Sequence, residues 1–503
     1  MIFRDWLKEL DYTLLQGSVD VETEDVIYDS RKAAPGKVFV AMKGIRVDGH
    51  SFIPQVLKAG VRVLVTERPV EEELKNSGLS EEELKQVTVV MVEEGRHALA
   101  LLSAARFDHP AKKLVMIGVT GTKGKTTTTH MIRAILLAAG KKVGMIGTTG
   151  TVIGDVVTPT LNTTPESYEL HQAFAQMVEA GCEYAVMEVS SQGIKMHRTD
   201  GLYFNYAIFT NISPDHIGPG EHADFEEYLY YKTRLLNMCG IGLVNKDDKH
   251  APQIIKAANC ELYTYSEESK EADFVASDIR YVSQPDFVGT EFHISGKYDM
   301  EVRLGIPGLF NVVNALAAVS VCSFLGLDQA RISHALENIR VNGRMEIVYT
   351  SERCTVLVDY AHNAVSMESL LSTLRDYKPK RLVCVFGCGG NRSKDRRYSM
   401  GEIGGKMADL SIITADNSRY EKVEDIIADI RGSIEKTGGK FIEIPDRREA
   451  IRYSVFHAEP GDMIAVIGKG HEDYQEINGV RHHFLDREVI EEAVRELREK
   501  EQG

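Results

Sequence analysis

Nowhere in its 503 residues does the chain approach the roughly 18 consecutive apolar residues that a membrane-crossing helix needs. Its opening stretch, "MIFRDWLKEL", carries charges every few residues where a secretory leader would carry an apolar core. Neither membrane insertion nor export is expected, and a cytoplasmic location is. Cysteine is sparse: seven are scattered along the chain, and Cys384 and Cys388 have no second pair at metal-ligand spacing. They read as buried thiols of a reducing compartment. Positive charge is also short, with 59 Lys and Arg against 74 Asp and Glu, a net of −15. That balance argues against duplex nucleic acid or an anionic membrane as the main partner, but not against a small anionic nucleotide held by local amides and lysines. Internal repeats and low-complexity segments are absent. With no long heptad or apolar patch to mark a partner chain, a monomer is the expectation.

What is present is the composition of a core-forming protein, 43% apolar and 26% charged, in a chain long enough for several domains. Residues 1–110 mix strands and helices, with turn chemistry at "APGKVFVAMKG" and "RVDGHSF". The charge-rich "EEELKNSGLSEEELK" reads as solvated helix with no evident chemistry. From 111 the pattern changes to a strand "KLVMIGV", a glycine loop "GTKGK", a helix "TTTTHMIRAILLAAG" and a strand "KKVGMIG". Together they make a βαβ unit and hence a parallel sheet. From 344 the strands "TVLVDY", "RLVCVFG", "LSIIT", "FIEIP" and "MIAVIG" alternate mostly with helices, as in a doubly wound sheet. The fold class is α/β in three domains: a small mixed N-terminal domain (1–110), a central P-loop parallel-sheet domain (111–343) and a C-terminal Rossmann-like domain (344–503).

The most specific motif is "GVTGTKGKTT". Its glycines let backbone amides curl around phosphate oxygens, and the helix N-terminus adds positive dipole. Lys125 reaches the outer phosphates and Thr126 offers a hydroxyl to Mg²⁺. Strict Walker spacing would put glycine at 119, where this chain has Val119. A glycine turn alone is often a bland connection, but strand before, helix after and the GKT ending point to a nucleoside triphosphate. Three further loops, "GCGGNRSKDRR", "ADNSRYE" and "GKGHEDYQ", each follow an apolar strand of the last region. In an open parallel sheet they share the carboxyl edge where ligands bind. Arg392 and Arg419 suit carboxylates, and Asp416 and Glu472 suit an ammonium, so the crevice reads the zwitterionic end of an amino acid. Scattered surface ion pairs are the plainer alternative.

"GTKGKTT" resembles the GTxGKT loop of the Mur ligases and folylpolyglutamate synthetases, ATP-dependent enzymes that join an amino acid to a carboxylate through an acyl phosphate. "YDSRKAAPGKVFVAMKG", "DGHSF", "NTTPE", "EVSSQGIKMHR", "GLFNVVNALAA", "NGRMEIV", "VDYAHN", "FGCGGNR" and "GKGHEDYQ" follow in family order along nearly the whole chain. The set is most similar to the members that add the third peptide residue to UDP-N-acetylmuramoyl-L-Ala-D-Glu. The resemblance implies ATP and Mg²⁺, with a UDP-N-acetylmuramoyl-dipeptide and a diamino acid as substrates. ATP would be held by Gly121, Thr122, Lys123, Gly124, Lys125, Thr126 and Thr127, with Asn311 on adenine, Asp359 on ribose and Arg344 on phosphates. Lys125, Glu188, His216 and Lys232 would be catalytic. Thr126, Glu188, His216 and a carbamylated Lys232 would hold Mg²⁺. On residues alone, Lys232 falls on the apolar face marked by Phe225, Tyr228, Leu229, Leu235 and Leu236, where a snorkelling lysine is the usual state. The nucleotide-linked substrate would meet Ser30, Asn162, Thr163, Thr164, Ser190 and Arg198. The amino acid would meet Arg392, Asp416, Asn417, Ser418, Arg419, Gly468 and Glu472.

Family members that use meso-diaminopimelate have DNPR where this chain has DNSR, and the arginine is retained. Lysine-adding relatives usually lack it, which favours diaminopimelate. Departures border the acceptor: "HIGPGEHAD" replaces a segment resembling HLDYHG, Gln192 stands in place of a histidine, and Met196 in place of a glutamine. A paralogue joining another amino acid or acting on another nucleotide-linked carboxylate is therefore the alternative reading.

Overall fold

Valine, isoleucine and leucine cluster in short runs bounded by glycine and polar residues, and runs such as Val115–Thr120, Val143–Gly147 and Asp462–Ile467 become strands buried on both faces. The computed structural model describes residues 1–44 and 47–502, so Arg46, which opens the "RVDGHSF" turn, lies outside the described residues. By its internal contacts the chain divides into two compact units, Met1–Tyr265 and Ser266–Gly503.

The first unit opens with a five-stranded sheet in the order Thr13–Gln16, Thr88–Met91, Val63–Thr66, Lys37–Val40, Asp25–Ile27. Its first pair is antiparallel and the rest are parallel. Helix Gly95–Arg106 covers one face with Ala98, Leu99 and Leu102. The charge-rich segment is helical, as two short helices, Glu71–Lys75 and Glu81–Leu84. Gly78 between them takes φ +73°, and Ser80 starts the second helix with a capping box to Glu83. Next in this unit run parallel strands in the order Glu261–Ser266, Cys239–Asn245, Phe204–Phe209, Val115–Thr120, Tyr184–Glu188, Val143–Gly147. The antiparallel strands Gly150–Ile153 and Val156–Thr158 finish that edge. The phosphate-loop strand Val115–Thr120 is thus central, flanked by Phe204–Phe209 and Tyr184–Glu188.

The second unit begins with three antiparallel strands, Phe274–Gln284, Phe287–Gly296 and Met300–Leu304. The apolar helix Leu309–Phe324 follows, buried along most of its length. A six-stranded sheet then runs in the order Glu346–Thr350, Cys354–Asp359, Asp462–Ile467, Arg381–Phe386, Leu410–Ile413, Phe441–Glu443. All but the first pair are parallel. Both cysteines flagged in the sequence are buried here, and burial pushes the Cys388 thiol up to about 12. Among the described residues no helix is long and apolar enough to cross a membrane.

Candidate active site

The loop between strand Val115–Thr120 and helix Lys125–Ala138 is shaped by steric exclusion. Gly121 takes φ +144°, and a Cβ there would meet Thr210 Oγ1 at 1.9 Å. Gly124, also at positive φ, caps the helix, leaving its first amides without a side-chain cap. Lys123 is exposed, and its amide donates to Asn211 Oδ1 at 2.9 Å. Thr122 Oγ1 lies 3.1 Å from the Tyr228 hydroxyl, and Thr127 is buried. Lys125 Nζ folds back to donate to the carbonyls of Gly121 and Thr122 at 2.8 and 3.2 Å.

Glu188 ends the neighbouring strand and is 1% exposed. Thr126 Oγ1 and the Thr148 amide donate to its Oε1 at 3.0 and 2.9 Å, and Thr148 Oγ1 to Oε2 at 3.3 Å. A Cβ at Gly147 would lie 2.3 Å from Oε1, so the carboxylate occupies space that only glycine leaves. A buried carboxylate facing a threonine hydroxyl is an all-oxygen donor set, and it fits a small hard cation such as Mg²⁺.

Lys232 is more deeply placed than its sequence position implied. Helix Phe225–Thr233 ends just after it, and Leu235 and Leu236 sit on the following 3₁₀ turn, Arg234–Asn237. The ammonium does not reach water: Lys232 is buried, and Nζ donates to the Gly121 carbonyl at 2.8 Å. Nζ also sits 4.7 Å from the Tyr228 ring centroid. Two lysines, 125 and 232, therefore converge on one carbonyl. Burial first, then the charge of Lys125, holds the Lys232 pKa well below the usual lysine range. His216 is exposed at φ +53°, with Nδ1 3.1 Å from Glu221 Oε1.

The nucleotide-substrate set is distributed unevenly. Thr164 is buried, donating to the Glu188 carbonyl and accepting from the Ser190 amide, at 3.0 and 2.9 Å. Ser190 in turn caps helix Ser191–Lys195 through Gly193. Both hydroxyls thus shape the backbone beside Glu188. Arg198 is held by Glu166 at 2.7 Å and the Thr164 carbonyl at 2.9 Å. Asn162 is exposed, Thr163 Oγ1 lies 3.1 Å from Thr148 Oγ1, and Ser30 opens a 3₁₀ turn capped by Asp29.

In the second unit Asn311 is buried in the first turn of its helix, with Nδ2 donating to the Pro307 carbonyl at 2.7 Å. Asp359 ends its strand and accepts from the amides of Met345 and Ala361, both at 2.8 Å. Burial raises its pKa against those hydrogen bonds. The Arg344 guanidinium lies 5.1 Å from the Tyr360 ring centroid. At the carboxyl edge of the sheet a cavity of about 230 Å³ is lined by Arg392, Asp416, Asn417, Arg419, Gly468 and Glu472, together with Tyr360 and His362. The structure thus brings together six of the seven residues assigned to the amino acid; Ser418 is buried and does not line the cavity. Asn417 Nδ2 donates to Glu472 Oε2 at 2.9 Å, joining two of the loops. Arg419, at φ +52°, donates to the Gly390 carbonyl at 2.7 Å and so joins a third.

Three models of one family match successive stretches: the Mur ligase family catalytic domain over residues 23–107, the Mur ligase middle domain over 119–322 and the Mur ligase glutamate ligase domain over 343–470. A UDP-N-acetylmuramoyl-L-alanyl-D-glutamate--2,6-diaminopimelate ligase of Caldanaerobacter subterraneus subsp. tengcongensis is 39% identical over 498 residues, 98% of each chain. The chain belongs to the Mur ligase family. A ligase of the same name from Clostridium perfringens is 37% identical, over 97% of this chain and 99% of its own. A solved structure, also of a UDP-N-acetylmuramoyl-L-alanyl-D-glutamate--2,6-diaminopimelate ligase, superposes with a TM-score of 0.72 at 30% identity, over 95% of both chains.

Within this Mur ligase fold, several supporting residues escaped the sequence reading. Arg447, fully buried, pairs bidentately with Asp486 at 2.7 and 2.6 Å. It also donates to the carbonyls of Ala415 and Ile467, the residues just before Asp416 and Gly468. Lys469, also fully buried, donates to Asn417 Oδ1 at 3.2 Å and lies 3.5 Å from Glu472. Arg397 pairs with Asp429 and with Glu421, which caps the Asn391 amide. In the departed "HIGPGEHAD" segment, buried His222 places Nε2 2.9 Å from Ser191 Oγ. Lys469, Arg397, Glu421 and His222 lie inside quoted stretches and could have been found there; Arg447, Asp429 and Asp486 carry no local signal.

Proposed function

We propose that the chain joins meso-diaminopimelate to UDP-N-acetylmuramoyl-L-Ala-D-Glu, converting ATP to ADP and phosphate, in peptidoglycan precursor synthesis. The observation that carries the choice of amino acid is the cavity in which Arg392 and Arg419 stand with Asp416 and Glu472. Two arginines and two acids match a diamino acid that retains a second zwitterionic end, whereas lysine offers no second carboxylate. The relatives named above carry the same substrates in their names.

The substrate carboxylate attacks the γ-phosphorus and ADP leaves. The amine nitrogen then attacks the acyl phosphate carbon, loses a proton and expels phosphate. Gly121–Thr127 cradle the phosphates, and Lys125 exchanges its carbonyl partners for phosphate oxygens. Asn311, Asp359 and Arg344 keep their roles on adenine, ribose and phosphates. Ser30, Asn162, Thr163 and Arg198 bind the nucleotide-linked substrate, with Thr164 and Ser190 shaping the segment. Thr126, Glu188, His216 and Lys232 as its carbamate would hold Mg²⁺, which when bound offsets the repulsion between the carboxylate and ATP. Burial lowers the Lys232 pKa and so favours the neutral amine, which adds to CO₂ and releases a proton to give a carboxylate-like ligand. Functional boundaries at 110 and 343, a cytoplasmic location and a monomeric state complete the proposal.

The test is phosphate release from ATP with Mg²⁺ and UDP-N-acetylmuramoyl-L-Ala-D-Glu, with meso-diaminopimelate, L-lysine and L-ornithine side by side and product masses determined. Turnover with diaminopimelate alone is expected. The altered segment around His222 and Gln192 favours, as the second reading, a different nucleotide-linked acceptor; no turnover with any of the three amino acids would select it.

A further inference from the structure

Beside the turn that carries Arg198, three side chains from two distant stretches of the first unit bring their ligand atoms together. His97 lies in the first turn of helix Gly95–Arg106, with its amide donating to Glu94 Oε2. His197 and Asp200 come from the turn that follows helix Ser191–Lys195. Nδ1 of His97 and Nδ1 of His197 lie 2.6 and 2.8 Å from the same atom, Asp200 Oδ2. All three ligand atoms fall within 4.8 Å of one another. The ring planes stand nearly perpendicular, at 79°, so the imidazoles approach the carboxylate from different sides. His197 holds this pose from a left-handed backbone, φ +56°, which a non-glycine residue adopts at a cost.

We infer that His97, His197 and Asp200 form a binding site for a transition-metal dication of the Zn²⁺, Co²⁺ or Ni²⁺ class. Two imidazole nitrogens and one carboxylate oxygen select such borderline ions over Mg²⁺ and Ca²⁺, which prefer oxygen throughout. Tetrahedral coordination at about 2.0–2.1 Å would separate the ligand atoms by roughly 3.4 Å, so movements of under about 1 Å accommodate the ion. The side chains are 45%, 39% and 22% exposed, leaving an entry path and room for water as a further ligand. Because His97 lies 103 residues from Asp200 in sequence, a bound ion would cross-link helix Gly95–Arg106 to the turn that carries Arg198. The inference stands independently of the ligase reading.

The experiment uses the full chain, freed of metal by chelation and titrated with Co²⁺ in a large excess of Mg²⁺, which occupies any oxygen-donor site. One Co²⁺ per chain with a visible d–d band is expected, and Zn²⁺ should raise the melting temperature. In His97→Gln and His197→Gln, which keep polarity and bulk, affinity should fall on the order of tenfold or more. X-ray absorption of the Zn²⁺-loaded wild type needs no variant, and should show a nitrogen and oxygen shell with imidazole scattering. A sulfur shell would move the ion to the free cysteines. That result, no binding above the Mg²⁺ background, or wild-type affinity in a folded His97→Gln protein would each overturn the site.

Discussion

Between Gly121 and Thr127 seven consecutive residues supply the turn, the helix N-terminus and the lysine, whereas the crevice lined by Arg392, Asp416, Arg419 and Glu472 draws on three loops far apart in sequence. In the proposed triphosphate site the backbone would be the recognising element: Gly121 is required by space, Gly124 starts the helix, and Lys125 rests on loop carbonyls. In the proposed amino-acid site, side chains would recognise the ligand, and other buried side chains hold them. Arg447 ties the ends of two strands together beneath the loops, and Lys469 anchors Asn417 beside Glu472. A contiguous backbone site suits a ligand common to a whole family, the triphosphate. A site assembled from side chains can change its ligand by changing one of them.

The largest expected effect strikes the backbone site at its one indispensable side chain. Lys125→Ala should lower kcat on the order of 10²–10³-fold with the fold intact; a loss under tenfold would mean that the loop amides suffice without it. Lys232→Ala should cost on the order of 10²-fold by the same reasoning, and added formate or acetate should restore part of the rate by standing in for the carbamate. Mass spectrometry and ¹³C NMR after labelling with ¹³CO₂ would detect the carbamate directly. If small carboxylates restore nothing and no label is found, Lys232 acts as an amine. For the side-chain site the sharpest break is in its support. Arg447→Met leaves Asp486 buried without a cation and should cost about 3–5 kcal/mol in urea unfolding. Stability within about 1 kcal/mol of wild type would show that the loops hold themselves.

These two regions also differ in how far the sequence disclosed them. The phosphate loop, its strand and its helix were legible because periodicity, glycine and the GKT ending act within one short window. Five of the six strands of the C-terminal sheet were legible for the same reason, as apolar runs bounded by turns. Six crevice residues were recoverable because loops at the carboxyl ends of parallel strands must share an edge. Arg447 and its partner Asp486 were not, since an arginine on an amphipathic helix looks the same whether it meets water or a buried carboxylate. The full burial of Lys232 was underestimated for a related reason: helix spacing shows which face a residue is on, not how deep that face lies. The charge-rich segment is helical as expected, but the break at Gly78 and the Ser80 cap that divide it in two were not marked in advance.

The claim that side chains of the crevice choose the amino acid is tested most directly at Arg419. Steady-state kinetics of wild type and Arg419→Ala, with meso-diaminopimelate and ATP varied in turn, would decide it. Loss of a charged hydrogen-bonding partner should raise KM for diaminopimelate about 10- to 100-fold. KM for ATP should stay within about twofold, since no triphosphate role falls to Arg419. Equal rises in both constants, or no rise in either, would contradict the account.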